Sequence, residues 1–96
     1  MNLDPDTQRW TEHIGQKIRE LRKAEGLTLD GLSRISGATV PTLSHIERGT
    51  RDVKLSTLIG LARALRVRLP DLLVPSGQTA AERSTPSIDG YDLDDD

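Results

Sequence analysis

The stretch Thr28-Leu-Asp-Gly-Leu-Ser-Arg-Ile-Ser-Gly-Ala-Thr-Val-Pro-Thr-Leu-Ser-His-Ile-Glu-Arg-Gly49 decides the fold, because it encodes two short amphipathic helices joined by a tight turn. Thr28 is expected to cap the first, its hydroxyl accepting a backbone N–H that the first turn cannot satisfy internally. Leu29, Leu32 and Ile35 recur at steps of three and are assigned to its inward face. Gly37 stops this helix in the left-handed conformation that residues with a Cβ adopt only at a cost. Thr39 caps the second helix, with Val40 and Pro41 in its first turn, where a missing N–H removes no helical bond. Leu43 and Ile46 form its inward stripe, and Gly49 ends it. The predicted spans are about 28–36 and 39–48.

Working outward, Trp10, Ile14, Ile18 and Leu21 predict a first helix from a cap near Asp6 or Thr7 to Gly26. Between them lie Gln16, Lys17, Arg19, Arg22 and Lys23, a cationic outer face. Beyond the loop Gly49-Thr-Arg-Asp-Val-Lys54, Ser56 is expected to cap a fourth helix carrying Leu58, Ile59, Ala62 and Leu65. A short fifth helix near Pro70-Asp-Leu-Leu73 completes an all-α, five-helix arrangement over residues 1–74.

From Pro75 the composition changes. The run Pro75-Ser-Gly-Gln-Thr-Ala-Ala-Glu-Arg-Ser-Thr-Pro-Ser87 reads as a flexible linker, and Asp89-Gly-Tyr-Asp-Leu-Asp-Asp-Asp96 as an acidic end with too little apolar content to bury itself. A disordered acidic tail over 75–96 is therefore expected. Ile88, Tyr91 and Leu93 are interleaved with its acidic residues, a pattern suited to docking on a basic, partly apolar surface of a partner protein; the plainer alternative is a solubilising terminus.

Ninety-six residues suffice for one small domain. The net charge of −2 conceals an asymmetry: residues 1–74 hold 12 Lys+Arg against 9 Asp+Glu, net +3, and residues 75–96 hold one Arg against 6 Asp+Glu, net −5. An isoelectric point near 5.6 therefore says little about the local field at a binding face. The absence of cysteine excludes disulfides and thiolate metal sites, and two histidines, His13 and His45, cannot alone make a zinc site. No apolar run approaches a membrane span, and the N-terminus lacks the basic and apolar regions of a secretion signal. A cytoplasmic, nucleoid-associated protein without cofactor is the expectation. No glycine-rich phosphate loop or nucleophile–base–acid set is present, so no catalytic role is assigned.

Two such helices around a three-residue turn fit the DNA-binding helix-turn-helix, whose second helix enters the major groove. The pattern "LT-L-x-x-L-S-x-x-S-G-x-T-x-x-T-L-S-x-I-E-R-G" also resembles the phage repressor/Cro-like helix-turn-helix domains, the Xre family. The likeness runs from about Ile14 to Leu73, roughly 60 of the 96 residues. It implies a sequence-specific DNA-binding regulator that binds double-stranded DNA, most often as a homodimeric repressor on a palindrome. Antitoxins that repress their own operon, restriction–modification controllers and small phage regulators fit this size. A protein-binding adaptor is the alternative, distinguished by tight capture of a partner and weak, salt-insensitive DNA binding.

With Leu43 and Ile46 turned inward, Thr39, Val40, Pro41, Ser44 and His45 are expected to face the groove, Val40 against a thymine methyl. Phosphate contacts are expected from Thr28, Thr42, Arg48, Thr50, Arg51 and Lys54 and from the N-termini of the two helices. Arg63, Arg66 and Arg68 fit a solvated face. Val67, Leu69, Leu72 and Leu73 are candidates for a dimer patch, some of them necessarily core. The resemblance further implies that Arg22 pairs with Glu47. Three positions depart from the family: Leu29 stands where a phosphate-binding Gln is common, Gly31 lies inside the second helix, and Arg66 replaces the glycine usual after the fourth.

Overall fold

The computed structural model describes residues 3–74. Among these residues the chain forms four α-helices, α1 (Pro5–Ala24), α2 (Leu29–Ser36), α3 (Val40–Arg48) and α4 (Leu55–Ala64), followed by a 3₁₀ turn at Leu69–Leu72. The expected fifth helix is thus that single turn, and the expected acidic tail with its partner-docking residues Ile88, Tyr91 and Leu93 lies outside the described residues.

The caps follow backbone chemistry. Thr28 Oγ1 accepts from Gly31 N at 2.9 Å, and Thr39 Oγ1 from Thr42 N at 3.2 Å. Gly37 and Gly49 close α2 and α3 at φ of 83° and 71°. Helix α1 begins earlier than expected, with Asp4 as the cap and Pro5 in the first turn, since a residue without an N–H suits a position that has no helical partner for one. Hydrogen bonds from the Thr7 backbone and side chain hold the Asp4 carboxyl below its ordinary pKa. Helix α4 also begins earlier: Lys54 occupies the cap with no side-chain bond, and Ser56 lies inside the first turn instead of capping it.

The core gathers Ile14 and Ile18 from α1, Leu32 from α2, Leu43 and Ile46 from α3, Leu58, Leu61 and Ala62 from α4 with its C-cap Leu65, and Leu72 from the final turn. Three expected core residues are displaced from it: Trp10 is 50% exposed, Ile35 56% and Ile59 40%. An α-helix turns about 100° per residue, so steps of four advance about 40° round the axis and steps of three fall back about 60°. Counted from Ile18, Trp10 has drifted two steps of four, whereas Thr11 lies seven residues away and returns nearly to the same line. Thr11 is accordingly buried and donates to Gly49 O at 3.1 Å, tying α1 to the end of α3. Trp10 instead packs edge-to-face on His13, whose Nε2 lies 3.1 and 3.0 Å from the carbonyls of Leu73 and Val74. In α2 the same drift turns Ile35 outward, while Ser33 and Ser36 are half-buried and bond to the Ala38 backbone at 2.6 and 3.2 Å. In α4 and its C-cap the inward set is Leu58, Leu61, Ala62 and Leu65, the last three lying three, four and seven residues after Leu58.

Arg66 has φ of 62°, the left-handed conformation of the glycine it replaces in the family pattern. The turn after α4 therefore keeps its form, at a cost of roughly 1–2 kcal/mol for a residue bearing a Cβ. Gly31 has ordinary helical surroundings, with 3.4 Å from an ideal Cβ to its nearest neighbours.

Candidate nucleic-acid interface

Helix α3 has two unlike sides. Leu43 and Ile46 are sealed in the core, and this fixes the opposite side: Pro41, Ser44, His45 and Arg48, spaced three, four and seven apart, form a stripe that no other element covers completely. Pro41 and Arg48 are exposed, and Ser44 and His45 half-buried. Thr39 is exposed at the mouth of the helix, and Val40 is half-buried behind it. Arg48 Nε donates to Ser44 O at 3.3 Å, which lays the guanidinium along the helix surface.

A chain of hydroxyls runs along the side of this stripe. Thr39 Oγ1 donates to Thr42 Oγ1 at 2.9 Å, and Arg51 Nη1 donates to the same Thr42 oxygen at 3.2 Å. Thr42 and Arg51 line a shallow cleft with Lys54 and Thr57 between α3 and the start of α4. Asp52 also lines it, but among the described residues no carboxylate lies within ion-pair distance of Arg48, Arg51 or Lys54. By contrast the Arg34 charge is held by Asp30 at 2.9 Å. Cations without a carboxylate partner, beside an uncovered helix face, make a surface suited to a polyanion.

At the far end of α3, His45 and Thr50 meet twice. His45 Nδ1 lies 3.0 Å from Thr50 Oγ1, and that hydroxyl is also 3.2 Å from His45 O. Thr28 is exposed at the N-terminus of α2 with its oxygen bonded to Gly31 N. Leu29 packs against the core and supplies nothing polar where the family pattern has Gln.

The interface is braced from behind. Arg22 on α1 donates from Nε to Glu47 Oε2 at 2.7 Å, from Nη2 to Glu47 Oε1 at 3.0 Å and from Nη1 to Leu27 O at 2.8 Å. These side chains are only 11% and 7% exposed. The bond to Glu47 holds the Arg22 pKa above its ordinary value, as expected when the charged form gains a fixed acceptor. Helix α1 also crosses α3 closely at Gly15, and Gly49 O receives the Thr11 hydroxyl. Neither glycine contact, nor the Thr50–His45 pair, was visible in spacing alone, because each depends on where separate elements cross.

The dimer candidates divide. Leu72 is fully buried and belongs to this chain's own core, so it has no surface to offer a second copy. Val67, Leu69 and Leu73 are half-buried against that core.

The order of elements, a short α2 and α3 joined at a left-handed Gly37 with the outer side of α3 uncovered, is that of a DNA-reading helix pair. A model of the helix-turn-helix family matches residues 18–72, more than half of the chain. The chain belongs to the helix-turn-helix family, of the phage repressor/Cro-like kind. The helix-turn-helix chain is 38% identical to control protein C.SmaI of Serratia marcescens over 66 residues, 69% of this chain and 79% of that protein. It is 37% identical to the uncharacterised HTH-type transcriptional regulator y4dL of Sinorhizobium fredii over 82 residues, 82% of this chain and 42% of the relative. Among solved structures it resembles the restriction-modification controller protein C.AhdI of Aeromonas hydrophila at a TM-score of 0.63 and 37% identity, covering 65% of this chain and 94% of that one. The first two sequence relatives are longer, and the helix-turn-helix chain spans 42% and 58% of their lengths. No helix among its described residues is long and apolar enough to cross a membrane.

Proposed function

We propose that this chain is a sequence-specific DNA-binding transcriptional regulator, whose α3 enters the major groove and whose neighbouring cations hold the phosphates. The observation that carries the reading is the uncovered stripe Pro41, Ser44, His45 and Arg48 beside Arg51 and Lys54, on the second helix of a helix-turn-helix. In this reading Thr39, Val40, Pro41, Ser44 and His45 meet bases. Thr28, Thr42, Arg48, Arg51 and Lys54, with the N-termini of α2 and α3, meet the backbone. Two copies on a palindrome, acting as a repressor, suit the geometry of one reading helix per domain, and the half-buried Val67, Leu69 and Leu73 supply the edges such a pairing needs. The likeness to a control protein and to a restriction-modification controller favours a controller of that kind over an antitoxin-like autoregulator.

The phosphate role is tested by titrating duplex DNA with the protein at several salt concentrations and comparing wild type with Arg51→Ala. Releasing one counterion fewer is expected to lower the slope of log K against log salt by about one, with weaker binding on every sequence. An unchanged slope removes Arg51 from the interface. Binding to DNA that does not respond to salt at all, with tight capture of a protein, would instead support an adaptor.

A further inference from the structure

The contacts between His45 and Thr50 determine more than a side-chain position. The Thr50 hydroxyl has one hydrogen and approaches two groups, His45 O at 3.2 Å and His45 Nδ1 at 3.0 Å. The carbonyl can only accept, so Thr50 must donate to it. Thr50 N donates to the same carbonyl at 3.1 Å, which holds the threonine in place. The remaining contact then requires a hydrogen on Nδ1, directed at a Thr50 lone pair. The opposite arrangement, with Thr50 donating to a bare Nδ1, would set the hydroxyl oxygen against the carbonyl oxygen, lone pair to lone pair.

We propose that Thr50 fixes neutral His45 as its Nδ1–H tautomer, so that Nε2 is presented from α3 as a hydrogen-bond acceptor and selects a base whose exocyclic amino group faces the major groove. Nε2 has no partner among the described residues, and His45 belongs to the outer side of α3. The donors on the floor of the major groove are the amino groups of adenine and cytosine, whereas guanine and thymine present acceptors there that a bare Nε2 would repel. Thr50, expected from sequence to contact phosphate, is a positioning residue in this account: it acts through the ring of His45. The proposal rests on the DNA reading above and names one element of its specificity.

Two readouts test it on the full chain. In the free protein, imidazole nitrogen shifts with the ring neutral are expected to place the proton of His45 on Nδ1. Thr50→Val is expected to release the tautomer and Thr50→Ser to retain it. On DNA, wild type is expected to favour adenine or cytosine on one given strand at one position of each half-site, and exchanging the two bases of that pair between the strands is expected to weaken binding roughly three- to tenfold, the range of one lost hydrogen bond. Thr50→Val should reduce that discrimination to below about twofold, and Thr50→Ser should preserve it. A proton found on Nε2 in the wild-type ring, or a base preference untouched by Thr50→Val, overturns the proposal. An enriched DNA motif that His45→Ala leaves unchanged at every position overturns it alone, whereas the absence of any enriched motif overturns the DNA reading as well.

Discussion

Replacing Gly15 with alanine is expected to destabilise the fold by about 3 kcal/mol or more, near or beyond the upper end of ordinary overpacking costs. Helix propensity taken alone predicts the opposite sign, because alanine inside a helix is favoured over glycine by about 1 kcal/mol. The crossing of α1 on α3 decides between them. An ideal Cβ at Gly15 would stand 2.2 Å from Ile46 O and 2.8 Å from Glu47 O, far inside the roughly 3.5–4.0 Å at which such contacts become favourable. Both obstacles are main chain of α3, so relief requires α1 to withdraw from α3. Gly49 marks the same close approach from the other side, 2.7 Å from its ideal Cβ to Glu12 Cα, and its φ of 71° adds a second reason for glycine. For a domain of this size the Gly15→Ala loss corresponds to a fall in Tm of more than about 10 °C. Thermal unfolding at or above the wild-type temperature would mean that the two helices do not approach so closely.

Truncating Glu47 or Arg22 is expected to cost roughly 3–5 kcal/mol, because each would strand the other charge in a nearly closed site. An exposed pair of the same chemistry would contribute under about 1 kcal/mol, so burial is what sets the magnitude. Arg22 does more than neutralise Glu47: its third bond, to Leu27 O at 2.8 Å, ties down the loop that leads into α2. The bracket thus joins α1, the start of the helix pair and the end of α3. Glu47→Gln keeps the shape and removes the charge, and should be intermediate. Because the Arg22 pKa is raised in the fold, its contribution is fully present below the ordinary guanidinium range and is lost only as pH rises through the folded value, in strong alkali. Chemical denaturation of the three variants at neutral pH tests this, and losses below 1 kcal/mol for both truncations would reduce the bracket to a surface contact.

Residues that act through local chemistry were legible in the sequence. Thr28, Gly37, Thr39, Pro41 and Gly49 do where they stand what their backbone preferences dictate, and the helix pair followed from them. Residues whose role depends on the angle round a helix were less so. Fixed steps of three or four, as in Leu29–Leu32–Ile35 or Trp10–Ile14–Ile18, spiral off the buried side, and the alternating spacing of Leu58, Leu61, Ala62 and Leu65 remains on it. Ser56 misled for a different reason. A good capping residue marks a helix start only when its own backbone is extended, and here Lys54 takes that conformation and leaves Ser56 inside the first turn. The outer stripe of α3 could be derived from Leu43 and Ile46 by subtraction, but the pairing of His45 with Thr50 required the loop after Gly49 to turn back on the helix, which no spacing encodes.

The most direct measurement of the central claim is a selection of bound duplexes from a random pool, run with wild type and with a variant carrying Ser44→Ala and His45→Ala. Both substitutions lie on the outer stripe, away from the core, so the fold should survive as judged by its thermal transition. Wild type is expected to enrich a defined motif, and the variant to lose preference at the positions α3 meets while retaining salt-dependent affinity for DNA in general. Identical motifs from the two proteins, or no enrichment by a folded wild type, would contradict the assignment of α3 as the reading helix.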